Sequence, residues 1–183
     1  ALDASLDFPL YFLLDEVIKG KASPGALRER YANIRHTYAH TDGSDSLVTF
    51  LDNHDQMSRP YRRFLFDAAD ARQAVLGVGY LLTTIGIPSL YYGTEQGFSG
   101  GGTPGDHQDN RVRECMFGGR WGAFGVQHRH FFNPWHQLYR QIARLATIRA
   151  HEPALRYGRL YFREVSENGA DFFYPELGVG FLA

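Results

Sequence analysis

Val48-Thr49-Phe50-Leu51-Asp52-Asn53-His54-Asp55 is an apolar run, rich in β-branched and aromatic residues, that stops abruptly on a polar cluster. Such a run suits a β-strand. An imidazole and carboxylates inside the strand would need costly burial, whereas at its end they meet solvent or ligand on a rigid support. The stretch predicts a strand over 47–51 with a candidate active-site edge directly after it. Asn-His-Asp after a strand is also what a turn or a helix cap uses, because these side chains bond local backbone. Taken alone, the stretch leaves both readings open.

A second run of the same kind lies downstream. Gly86-Ile87-Pro88-Ser89-Leu90-Tyr91-Tyr92-Gly93-Thr94-Glu95 is a short apolar segment that runs into glycine and a carboxylate. Two successive strands thus deliver polar groups at the same kind of end, as the strands of a parallel barrel do. Between them, 71–82 carries Ala71, Ala74, Val75, Val78, Leu81 and Leu82 in the i, i+3, i+4 rhythm of a helix, with Asp67 or Asp70 available as a cap and Gly86 as the stop. Upstream, 11–18 reads as a short helix. Ser23-Pro24 then opens another, whose stripe is Leu27, Tyr31, Ile34 and Tyr38. Residues 93–132 show almost no periodicity and are too long for an idle connection, which makes them a candidate binding loop. Asn133-Pro134 is expected to cap a last helix with Leu138, Ile142 and Leu145 inward, and beyond Pro153 the pattern changes to alternation.

Taken in order, these segments resemble the last signature regions of the α-amylase superfamily, glycoside hydrolase family 13. There a strand reading roughly F-x-D-N-H-D is followed by G-x-P-x-x-x-Y-G-x-E. Leu6-Asp7-Phe8-Pro9-Leu10 is similar to the sixth barrel strand, and Pro153-Ala154-Leu155-Arg156-Tyr157-Gly158-Arg159 to the passage from the last barrel helix into the C-terminal β domain. The resemblance implies an α/β fold: the C-terminal portion of a TIM (β/α)8 barrel, about strands 6–8 with their helices, over 1–152, then the first strands of an all-β C-terminal domain over 153–183. The start at Ala1 and the end within an apparent strand are read as those of an internal fragment.

Bulk properties favour a neutral polymer or small molecule as partner. The 183 residues are 44% hydrophobic and 15% aromatic, a globular composition. A net charge of −1 and a pI near 6.8 give no electrostatic footprint for nucleic acid or an anionic membrane. Residues 74–92 lack charge, but Thr83, Thr84, Gly86 and Pro88 interrupt them, as a helix followed by a buried strand would require. Cys115 is the only cysteine, so no internal disulfide forms and the redox compartment, cytoplasmic or secreted, stays open. His107, His128, His130 and His136 fit no metal-ligand spacing, and no metal or other cofactor is expected within 1–183.

Retaining glycosidases need a nucleophile carboxylate and an acid/base carboxylate flanking the scissile bond. The resemblance puts those two on strands four and five, upstream of Ala1, together with the calcium ligands of family members that bind calcium. It makes Asp55 the third carboxylate, a transition-state stabiliser, and His54 a sugar-hydroxyl donor beside it. Arg59 is carried over as substrate-binding, although the family often has its Arg three residues after the Asp and here it stands four away. The loop holding Asp106, Asp109, Arg111 and Arg113 is similar to one that grips a donor-side sugar, with Asp109 and Arg111 as its binding residues. Asn53 and Glu95 are read as supports behind the site. The expected function of the complete protein is retaining cleavage of α-glucosidic bonds in oligo- or polysaccharides, with the 183 residues alone inactive. The rivals are a transglycosylase of the same family, a non-catalytic binding or chaperone subunit on the same barrel, and an unrelated α/β domain in which Asn-His-Asp is a turn.

Overall fold

The computed structural model describes residues 3–38, 42–55, 62–101, 111–117 and 130–163. The expected strand is β2, Leu47–Phe50. It lies at the centre of a three-stranded parallel sheet between β1, Ser5–Leu6, and β3, Ile87–Ser89. Ser5 and Leu6 pair with Leu47 and Val48, and Val48, Thr49 and Phe50 pair with Ile87, Pro88 and Ser89. Parallel neighbours need crossovers, and helices supply them. Helices α1, Phe8–Ile18, and α2, Gly25–Thr37, separate β1 from β2; α3, Arg72–Thr83, separates β2 from β3. Helices α4, Gln137–His151, and α5, Ala154–Tyr157, follow.

Alternation along β2 assigns its two faces. Leu47 packs against Tyr31 and Ile34 of α2, Thr49 is buried, and Leu51 joins the main core with Leu10, Leu14, Phe64, Ala74, Val78, Leu81, Leu138 and Ile142. The opposite face is largely bare. Leu6, Val48 and Ile87 stand side by side in the register, with Leu6 57% and Ile87 48% exposed. Phe50, on that same face, is buried under the rings of Phe8 and Tyr11, at 5.3 and 5.1 Å between centroids.

Several boundaries differ from the sequence expectation for local reasons. The first strand ends at Leu6 because Asp7 caps α1, its Oδ1 accepting from the Leu10 amide at 3.0 Å, and Pro9 sits in the first turn, where its missing N–H costs nothing. α1 therefore begins at Phe8 rather than at Tyr11. At α3 it is Asp70 that accepts from the Arg72 amide, at 2.7 Å, while Asp67 pairs with Lys19. Asn133 does not cap α4: its Oδ1 accepts from the Trp135 amide at 2.9 Å, closing a turn one step ahead of the helix. Residues 159–163 form no strand, although Leu160 and Phe162 lie against the Tyr31 cluster. The β domain expected beyond them lies outside the described residues. Among the described residues no helix is long and apolar enough to cross a membrane.

Candidate functional site at the end of the central strand

Directly after β2 the chain turns, and Asn53 Oδ1 accepts from the Asp55 amide at 2.7 Å. This local bond is the turn chemistry that Asn favours, and it fixes the direction in which His54 and Asp55 leave the sheet. Both side chains are exposed, with His54 Nε2 3.1 Å from Asp55 Oδ1. Asp52 points the other way. It is buried, and its Oδ1 accepts from the Phe64 amide at 2.8 Å, tying the end of β2 to the one-turn helix at Phe64–Asp67.

The neighbouring strand ends beside this turn. Gly86 enters β3 at φ +98°, where a Cβ would stand 2.5 Å from the Leu47 carbonyl oxygen, and Gly93 leaves it at φ +87°, where a Cβ would meet the Phe98 ring at 2.3 Å. Only glycine fits either position, which is the physical content of the two glycines in the second motif. Glu95 follows in the one-turn helix Thr94–Gln96. It is half-buried, and among the described residues no contact joins it to His54 or Asp55.

From the loop beyond β3, Arg113 reaches the site. Its Nε donates to the His54 carbonyl at 3.3 Å, and its guanidinium lies 3.4 Å from Asp55 Oδ1. Arg111 lies on the same segment, two residues earlier. Arg59, Asp106, Asp109 and His107 lie outside the described residues. Thus His54, Asp55 and Arg113 come together, while Arg111 and Glu95 have no described contact to Asp55.

Behind them is a cluster that the sequence did not single out. Arg63 is 0% exposed. Its guanidinium donates to Glu114 Oε2 at 2.9 Å, to the Val112 carbonyl at 3.1 Å and to the Tyr92 carbonyl, and it stacks on the Tyr91 ring at 4.4 Å. The Tyr91 hydroxyl also donates to the Val112 carbonyl, at 2.9 Å, and burial pushes that phenol's pKa well above its ordinary value. Residues 111–117 are accordingly fastened to the core, with Val112 and Met116 buried. They are held along their length and not only through the ends of the loop. Among the described residues no three His, Cys, Asp or Glu side chains gather as a metal ion would need.

No protein-family model matches the chain. It is 34% identical, over 86% of its length, to a β/α-amylase of Paenibacillus polymyxa, and 35% identical, over 61%, to a cyclomaltodextrin glucanotransferase of Geobacillus stearothermophilus. It spans about a tenth of the length of these relatives, 11% and 12% respectively. Among solved structures, an Anoxybacillus α-amylase superposes on 90% of the chain with a TM-score of 0.59 at 29% identity, the match taking up 31% of that enzyme. A three-domain cyclomaltodextrin glucanotransferase superposes on 86% with a TM-score of 0.62 at 28% identity, the match taking up 27% of it. The two motifs stand in order on adjacent parallel strands, and relatives in sequence and in structure are of one kind: the chain belongs to the α-amylase superfamily, glycoside hydrolase family 13.

Proposed function

We propose that these residues form the last third of a catalytic (β/α)8 barrel, with β1, β2 and β3 as its strands six, seven and eight. In the complete protein this barrel cleaves α-glucosidic bonds of α-glucans or oligoglucosides with retention. The observation that carries the proposal is the parallel order β1-β2-β3 with Asn53, His54 and Asp55 at the carboxyl end of the middle strand, the end where barrel enzymes place their chemistry. The bare row of Leu6, Val48 and Ile87 supports it, because a barrel's inner face is completed by the strands opposite.

The chemistry follows from the charge that develops in the reaction. Breaking the acetal builds positive charge on the sugar ring while the ring flattens. Asp55 accepts hydrogen bonds from ring hydroxyls that tighten as this happens, so it binds the transition state more strongly than the ground state. His54, 3.1 Å from the same carboxylate, donates to a neighbouring hydroxyl and holds the sugar. Arg59, Asp109 and Arg111 are proposed as further substrate-binding residues, the last two for a donor-side sugar, while Asn53 and Glu95 support the two strand ends. The nucleophile and the acid/base are two further carboxylates from other strands, and calcium, where the complete protein carries it, takes its ligands elsewhere in that protein.

The relatives favour a second outcome as well. Hydrolases and glucanotransferases match at nearly the same identity, 34% and 35%, so transfer to a sugar acceptor competes with transfer to water. The test is the full-length protein on maltoheptaose, with linear and cyclic products resolved. Turnover with retained anomeric configuration is expected, and Asp55→Asn should lower kcat by about 10²–10³-fold, the usual cost of one charged transition-state contact. His54→Ala should be milder and raise KM as well. Near-normal turnover by the Asp55→Asn protein would remove Asp55 from the site, and an inert wild type would favour the non-catalytic binding subunit.

A further inference from the structure

Asp55 is held on one side only. Both His54 Nε2 and the Arg113 guanidinium lie against Oδ1, at 3.1 and 3.4 Å, and no described residue donates to Oδ2. Among the described residues, one oxygen is engaged by protein and the other meets no donor. An exposed ion pair between two mobile side chains would not keep that arrangement, because such pairs are worth little and their partners exchange with water. Side-chain packing around Arg113 does not fix it either, since Arg113 is itself well exposed.

What fixes it is the pair of residues on either side. Val112 is clamped through its carbonyl, which accepts from both Arg63 and the Tyr91 hydroxyl. Glu114 is clamped through its carboxylate, with Oε2 on Arg63 and Oε1 on the Gly100 amide at 2.9 Å. With both neighbours tied inward to the same buried guanidinium, the side chain between them is presented outward, toward the turn after β2. Arg63 is anchored independently, its own amide donating to the Ser99 carbonyl at 2.9 Å. A buried ion pair of this kind is a poor source of stability, since apolar residues of similar volume often do as well. It is a good source of fixed geometry when every bond is directional.

We propose that Arg63 and Glu114 are positioning residues that act through Arg113: they seat its guanidinium on Asp55 Oδ1 and the His54 carbonyl, and so aim Asp55 Oδ2 at the substrate. Arg113 is then a third positioning residue, and the chain Arg63, Glu114, Arg113, Asp55 links the loop beyond β3 to the end of β2. The proposal rests on the glycosidase reading above.

The experiment is a double-mutant cycle in the full-length protein on maltoheptaose. Glu114→Gln keeps the shape of the side chain and removes its charge, and Arg113→Ala removes the contact. Each is expected to lower kcat about tenfold with KM changed less than about twofold, because orientation and not affinity is lost. The double variant should be no slower than Arg113→Ala alone, and Arg113→Lys should restore part of the rate. Losses that multiply would mean that Glu114 acts elsewhere, and would overturn the proposal. Because Glu114→Gln leaves a buried cation poorly paired and can fail to fold, Arg113→Ala serves as the independent arm: its residue is exposed, and a wild-type kcat would overturn the proposal by itself. A wild type inert on maltoheptaose would sink the glycosidase reading and this inference together, whereas an active wild type with an unaffected Arg113→Ala sinks this inference alone.

Discussion

At Gly86 one missing methyl group decides whether two strands can meet. The left-handed φ of +98° is strained for any other residue, and a Cβ would collide with the Leu47 carbonyl oxygen, a backbone atom of the central strand that cannot move aside alone. Gly86→Ala should cost about 1–3 kcal/mol from the backbone conformation, with the collision added to it. Urea unfolding of the full-length protein, comparing Gly86→Ala with Gly20→Ala, separates the two effects. Gly20 also has positive φ, +72°, but nothing lies within 4 Å of its would-be Cβ, so it should show the smaller loss. Equal losses would mean that the close approach to Leu47 is relieved without cost. At this scale the sequence was readable where a motif names the residue: the tight packing at Gly86 and Gly93, and the placement of His54 and Asp55 just beyond β2, follow from the two strand motifs. Arg63 and Glu114 did not, because 51 positions separate them and nothing in the local pattern around either marks a buried ion pair. Arg113 stood out only as one of several charges in a loop, and its contact with Asp55 depends on that pair.

Between elements, Lys19 does what no helical stripe announces. At the C-terminal end of α1 its ammonium is almost wholly buried, 2.8 Å from Asp15 Oδ1 and 2.5 Å from Asp67 Oδ1, and it sits over the Phe64 ring at 4.5 Å. It ties α1 to the one-turn helix, whose Phe64 amide is in turn bonded to Asp52, so the crossover helix is linked to the end of β2 through that helix. Burial alone would raise the pKa of Asp67, but the hydrogen bond and charge of Lys19, helped by Lys21, outweigh it and hold the carboxyl below the ordinary aspartate value of 3.8. A depressed carboxylate adds stability above its unfolded value and loses it as pH falls through the folded one. Asp67→Asn should therefore flatten the fall of the urea midpoint below about pH 4 while leaving its shape near neutrality unchanged. An acid limb identical to wild type would remove Asp67 from that linkage. Element order and the helix stripes were readable here, since Leu27, Tyr31 and Ile34, and Ala74, Val78 and Leu81, are buried as their spacing requires. The ends were not: β1 and α1 meet at Asp7, where a capping carboxylate takes precedence over the strand-like run Leu6-Asp7-Phe8, and α4 starts only at Gln137 because Asn133 spends its side chain on a turn.

For the whole molecule, the decisive asymmetry is between the two faces of one small sheet. Helices α1 to α4 bury the side that carries Leu47, Thr49 and Leu51, whereas Leu6, Val48 and Ile87 form a row on the other side with Leu90 exposed nearby. Parallel sheets are stable when both faces are covered, and β1 and β3 each present an outer edge without a described partner strand. Period-two alternation made such an uncovered face foreseeable. Its composition was not, because Phe50 is sheltered by Phe8 and Tyr11 from the start of α1, a contact set by where that helix begins. The expected behaviour of the 183-residue chain produced alone follows: self-association that grows with concentration, binding of a dye specific for exposed apolar surface, and a broad urea transition of low cooperativity. Residues 111–117 should be among its protected segments in hydrogen exchange, since the Arg63 and Tyr91 bonds to Val112 close within the same unit. Replacing both Leu6 and Ile87 by threonine should lower the association without disturbing the helical core, because neither side chain belongs to that core. A monomeric chain with one sharp, reversible transition would mean that the bare face needs no cover, and that the sheet is a complete domain rather than part of a barrel.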